Sequence, residues 1–156
     1  MGGASKSYAM TGWRMGYAAC PDLIANACDS LQSHSTSNPT SFAQVGFVEA
    51  LKNGEQDVIK MRKVFEKRRD LIFNLLSAVP KLKPFKAQGA FYSFVDISAT
   101  KMKSLEFSDR LLAEARVAVV PGVAFGDDRA IRLSFACSEE SIQTAVKRIS
   151  DWMKSL

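Results

Sequence analysis

The chain has 156 residues, 47% of them hydrophobic and 24% charged, with a formal net charge of +5. That length holds one domain with its own core, or a small domain plus part of another, and the composition excludes a disordered or collagen-like chain. No apolar run approaches the ~20 residues of a membrane-spanning helix and no basic-then-apolar leader opens the chain, which predicts a cytoplasmic protein; the positive charge permits an acidic partner without requiring one. Cys20, Cys28 and Cys137 lack paired spacing, which argues against a disulfide framework or a zinc site. The single histidine, His34, lies in a polar run that reads as a loop rather than as part of a catalytic triad.

The first segment, Gly3 to Tyr17, is built of small and aromatic residues, and its charges are Lys6 and, eight residues later, Arg14. An amine held where water is scarce has its ammonium form disfavoured and is ready to attack a carbonyl carbon. A guanidinium keeps its charge and grips a phosphate through two parallel hydrogen bonds. Together they match what pyridoxal phosphate demands, an imine partner for its aldehyde and an anchor for its phosphate. Spacing alone favours an edge loop carrying two solvated cations.

Met15 to Cys20 reads as a short strand, after which Pro21 and Asp22 open a helix bearing Leu23, Ile24, Ala27 and Leu31. A Ser/Thr-rich tract, 33 to 37, ends it. Asn38-Pro39-Thr40-Ser41 forms a turn and cap, and Phe42, Val45, Val48 and Leu51 follow one face of a second helix that Asn53-Gly54 stops. Glu55 begins the longest helix, whose stripe runs from Val58 and Met61 through Phe65 and Ile72 to Leu76 and Val79 and predicts one buried face. Lys60, Arg62, Lys63, Lys67, Arg68 and Arg69 crowd its other side, which is open to a nucleic-acid reading. Glu66 and Asp70 interrupt the run and no stacking aromatics accompany it, so the pattern favours a solvated face with local ion pairs.

Beyond Pro80 the period changes. Leu82 to Lys86 reads as an edge strand, because Pro84 would leave a gap in a central one. Phe91 to Ile97 is a strand with Phe91, Val95 and Ile97 on one side and Tyr92, Phe94 and Asp96 on the other. A helix begins near Ser104 or Leu105, a short apolar strand spans Val117 to Val120, and another strand spans Ile131 to Phe135. Ser138-Glu139-Glu140-Ser141 then caps the last helix. Helices around a small mixed sheet make this end an α+β domain. In its last strand Ile131, Leu133 and Phe135 share one face and Arg132 the other, so Arg132 either lines a cleft or snorkels to solvent.

Ser5-Lys6 followed by Met10-Thr11-Gly12-Trp13-Arg14-Met15-Gly16-Tyr17 resembles the cofactor-lysine segment of the class I pyridoxal-phosphate aminotransferases, in particular the bacterial-type aspartate aminotransferase branch. Gly89-Ala90-Phe91-Tyr92, Val117 to Gly122 with Phe125-Gly126, and Ile131-Arg132-Leu133-Ser134 are similar in order to the small domain of that family. The resemblance implies a fold-type I architecture: residues 1–54 as the end of the large cofactor-binding domain, and residues 55–156 as a long connecting helix with the small α+β domain. It implies that Lys6 is catalytic and bonds pyridoxal 5'-phosphate, that Arg14 holds the phosphate, and that Arg132 grips the α-carboxylate of an amino-acid or 2-oxo-acid substrate. The loop from Ser33 to Ser41 resembles the family's dimer-interface loop, so Asn38 faces a second subunit or simply makes an Asn-Pro turn. Family members also carry a long N-terminal portion with the partner of the pyridine nitrogen and the stacking ring, and some place a serine where this chain has Gly3. The 156 residues alone are therefore expected to turn over little substrate. A non-catalytic, self-associating module and a basic-helix nucleic-acid binder remain as alternative readings.

Overall fold

The computed structural model describes all 156 residues, which divide into two compact units, Met1–Arg62 and Lys63–Leu156, with the division falling inside a long helix. No helix is long and apolar enough to cross a membrane.

The first unit begins with β1 (Gly2–Gly3), the single-turn helix α1 (Ala4–Ser7), a 3-10 turn (Thr11–Trp13) and β2 (Gly16–Tyr17). Gly2 pairs with Tyr17 and Gly3 with Gly16 in an antiparallel ladder. The strand expected over Met15 to Cys20 is thus shorter, because β1 offers it a ladder of two residues and no more. Helices α2 (Asp22–Ser33) and α3 (Ser41–Asn53) follow, then the start of α4 (Glu55–Ser77). Ala43 and Phe47 are the buried residues of α3, and the Phe47 ring meets Tyr8 edge-on and Tyr17 at a tilt, each at 6.2 Å. Gly46 lies between them in sequence for a steric reason: a Cβ there would run into the Trp13 indole. The Phe42, Val45, Val48 and Leu51 face of the same helix is exposed.

The second unit takes over within α4 and adds β3 (Lys83–Pro84), β4 (Tyr92–Asp96), α5 (Ser104–Ala115), β5 (Val120–Pro121), β6 (Ala130–Ser134) and α6 (Glu139–Met153). The sheet order is β3-β4-β6-β5. Helices and a small sheet agree with the α+β expectation, although every pairing is antiparallel rather than mixed. The reason is topological: β4 and β5 run the same way, but β6 lies between them. Pro84 does sit in an edge strand, facing Val95. The strand expected over Val117 to Val120 contributes only Val120 to the ladder. Arg116 takes a left-handed conformation (φ 57°) to end α5, and the Val117 N–H is used there to bond the Leu111 carbonyl.

One core fills this unit. Ile72 and Leu76 of α4 and Phe107 and Leu111 of α5 pack with Val95 of β4, Ile131 and Leu133 of β6, and the α6 stripe Ile142, Val146, Ile149 and Trp152. The expected stripe is buried at Ile72 and Leu76 of α4 and at Val79 just past its end, and half-buried at Val58, Met61 and Phe65. Ser138 caps α6 by accepting the Ser141 N–H at 3.2 Å. The basic face of α4 carries local ion pairs, Lys60 with Asp57 at 3.2 Å and Arg69 with Asp70 at 2.8 Å. Because strand residues alternate, burying Val95 and Ile97 with Ile131, Leu133 and Phe135 turns Tyr92, Phe94 and Arg132 to the opposite face of the sheet.

Candidate active site

Lys6 sits on α1, a single turn held by several backbone bonds. The buried Ala4 donates its N–H to the Met15 carbonyl at 3.0 Å, and its own carbonyl accepts from Tyr8 at 3.2 Å and Met10 at 3.3 Å. The Thr11 hydroxyl adds a bond to the Ser5 carbonyl at 3.0 Å. The lysine backbone is therefore fixed from both sides of the segment. Its side chain is exposed rather than in the water-poor setting that the sequence suggested, since Ala4 is the one residue of this turn that points inward.

Arg14 closes the 3-10 turn Thr11–Trp13 in a left-handed conformation (φ 56°, ψ 42°). For a residue with a Cβ this costs roughly 1 kcal/mol or more, and it ends the turn as Lys101 and Arg116 end theirs. The guanidinium is tied back by Nη1 donating to the Thr11 carbonyl at 3.0 Å. Arg14 lines a cleft of about 310 Å³ together with Asn38 and Thr40, with Trp13 and Phe42, also of its lining, meeting edge-on at 6.4 Å. The structure thus brings Arg14 and Asn38 to one cleft. His34 caps the C-terminus of α2, exposed, with its N–H on the Ser30 carbonyl.

Arg132 belongs to the second unit. It faces Phe94 across β4 and Val120 across β5, and its guanidinium carbon lies 4.1 Å from the centre of the Tyr92 ring and 4.2 Å from that of Phe125. No carboxylate of the chain forms an ion pair with it. Phe125 ends a 3-10 turn, Gly122–Phe125, which the next residues brace. The Arg129 side chain bonds Asp127 at 3.0 Å and holds that carboxyl below the usual aspartate range. Neither ring was singled out for a role by sequence reasoning. The available signal was the β4 alternation that puts Tyr92 on the face opposite the core; Phe125 comes from a turn with no period to read.

The sequence model of the family described as "Aminotransferase class I and II" matches residues 1–149. A probable aspartate/prephenate aminotransferase of Aquifex aeolicus (strain VF5) is 47% identical, over 97% of this chain and 40% of its own length. An aspartate aminotransferase of Bacillus sp. (strain YM-2) is 46% identical over the same shares. Among solved structures, the aspartate aminotransferase of Rhizobium meliloti superposes with a TM-score of 0.93 at 38% identity, over 97% of this chain and 40% of that one. The aspartate aminotransferase of Thermus thermophilus with maleate gives 0.90 at 41% identity, over 96% and 39%. The chain spans about 40% of the length of the relatives it matches.

Proposed function

This chain belongs to the class I and II aminotransferase family, and from that premise we propose that it is the C-terminal portion of an enzyme that moves an amino group between an amino acid and a 2-oxo acid. Residues 1–54 are then the end of the large domain, and residues 55–156 the connecting helix and small domain. The observation that carries the reading is that Lys6 and Arg14 ride one backbone segment, cross-tied by the Ala4–Met15 and Thr11–Ser5 bonds, in a chain matched by the family almost end to end.

The donor set suits pyridoxal 5'-phosphate: a primary amine for its aldehyde, and on the same segment a permanently charged fork on a residue that lines a cleft. When bound, the cofactor supplies an electron-withdrawing ring that stabilises charge at the substrate α-carbon. Lys6 Nζ is the amine that would hold it through its aldehyde, and the same Nζ would serve as general base and acid for the substrate α-proton. Arg14 binds the phosphate, its guanidinium steadied by the Thr11 carbonyl. Arg132 holds the substrate α-carboxylate and so orients the α-carbon bond that is to be broken. A dicarboxylate such as the maleate of the Thermus relative has the chemistry this residue recognises. Asn38, exposed on the Arg14 cleft, faces the second subunit of a homodimer. Three free, exposed cysteines suit the reducing cytoplasm, where we place the enzyme.

Borohydride reduction after incubation with pyridoxal phosphate, followed by peptide mapping, tests the assignment. The expected result is one labelled peptide carrying Lys6, lost in Lys6→Ala. A label spread over surface lysines and unchanged by that substitution refutes it.

A further inference from the structure

The Arg132 guanidinium carbon lies over two rings at once, 4.1 Å from the centre of Tyr92 and 4.2 Å from that of Phe125. A cation within ~6 Å of a ring centre is attracted to it, and two rings confine the plane as well as the position. Rings stacked on the flat faces of the guanidinium would leave the rim that carries the N–H groups for a ligand. A carboxylate meets a guanidinium in that same plane, through two parallel hydrogen bonds. Neither ring is loosely held. Tyr92 is on β4, two residues from the Phe94 that pairs with Arg132, and Phe94 meets Phe125 edge-on at 6.4 Å. The turn bearing Phe125 is moored to α5: the Val123 N–H donates to Ser104 Oγ at 3.1 Å, and the buried Ser104 hydroxyl donates to Asp128 at 2.7 Å. Gly122 begins that turn where a Cβ would run into the carbonyls of Ala130 and Asp127.

We propose that Tyr92 and Phe125 are positioning residues that hold the Arg132 guanidinium flat between them and present its N–H rim to a substrate carboxylate. The inference rests on the reading of Arg132 as the carboxylate site. Ordering a long, rotamer-rich side chain is normally a cost of binding, and here the rings meet it before the ligand arrives. They also select for in-plane approach, so a ligand group unable to form two parallel bonds is disfavoured.

The test follows the Arg132 Nε–H by nitrogen-15 NMR in the 156-residue chain during titration with maleate, against sodium chloride at equal ionic strength. In the parent chain, ring currents set this resonance apart from those of the other arginines, its order parameter is that of ordered backbone, and maleate shifts it. Phe125, 47% exposed, tolerates replacement. Phe125→Leu returns the resonance toward the others, lowers the order parameter and weakens maleate binding about threefold to tenfold. Tyr92→Leu acts in the same direction, whereas Phe125→Tyr keeps the parent values. If both leucine variants leave order parameter and affinity unchanged, the positioning role is overturned while Arg132 still stands as a carboxylate site. If maleate fails to move Arg132 in the parent chain, the carboxylate reading itself falls, and the inference with it.

Discussion

Helices α2 and α6 have similar sequence logic and opposite outcomes. Both carry an apolar stripe at helical spacing, yet α6 buries Ile142, Val146, Ile149 and Trp152 while α2 buries no residue and leaves Leu23 84% exposed. The contrast extends to their units: the second has a continuous core, whereas the first buries Ala4, Ala43 and Phe47. Periodicity says which face of a helix is apolar, and a covering partner is what turns that face into stability, at ~25 cal/mol per Å². The proposed site is divided in the same way. Arg132 stands on a well-cored sheet, and Lys6 and Arg14 on a segment that few buried contacts support.

The largest effect that would sharpen this contrast is expected in the second core. Phe107 is fully buried and meets Trp152 edge-on at 5.0 Å, so Phe107→Ala should destabilise this unit by about 3–5 kcal/mol. The two tryptophans of the chain, Trp13 and Trp152, fall one in each unit, which gives a clean measurement. In a Trp13→Phe background, denaturant unfolding followed by Trp152 fluorescence reports the second unit alone. A loss below about 1 kcal/mol would mean that the core is less consequential than its burial implies.

A smaller effect is expected from acid. The Arg110 side chain at 2.9 Å and then the Trp152 indole N–H at 2.7 Å hold the Glu114 carboxyl below the ordinary glutamate value of about 4.5. A carboxyl depressed in the folded state contributes stability above its unfolded value and loses it as pH falls through the folded one. The second unit should therefore weaken progressively below about pH 4.5, and Glu114→Gln should flatten part of that slope. Asp70, Asp96 and Asp127 are depressed too, by Arg69 with Lys86, by Ser98 and by Arg129, so some acid sensitivity remains in the variant. An unchanged acid limb in Glu114→Gln would show that the Arg110–Glu114–Trp152 contacts do not persist in solution.

Helices α2 to α6 were legible because each announces itself locally, through spacing, the Ser138 cap or the Asn53-Gly54 stop, whereas the single turn α1, Ala4–Ser7, was too short to show a period. Strand lengths were not. The ladders of Gly16–Tyr17, Lys83–Pro84 and Val120–Pro121 are set by the partner strand, which lies elsewhere in the sequence, rather than by the apolar run that suggested them. The same distinction governs the site. The segment from Ser5 to Tyr17 could be read as a string, and so yielded Lys6 and Arg14. The exposure of Lys6 and the stacking of Tyr92 and Phe125 on Arg132 depend on how separate elements meet.

The smallest expected effect bears most directly on the first unit. Val45 on α3 is 72% exposed, so Val45→Ser should change the stability of a monomer by no more than about 0.5 kcal/mol. Phe42 and Leu51 extend the same exposed apolar face, and a contiguous face of this kind promotes association. Sedimentation over a range of concentrations, with Trp13 fluorescence in a Trp152→Phe background, separates the two consequences. The substitution should leave unfolding of the dilute chain unchanged and move any self-association to higher concentration. A cost above about 1 kcal/mol at low concentration would mean instead that the face is covered within the monomer, and the contrast between α2, α3 and the second core would then lose its basis.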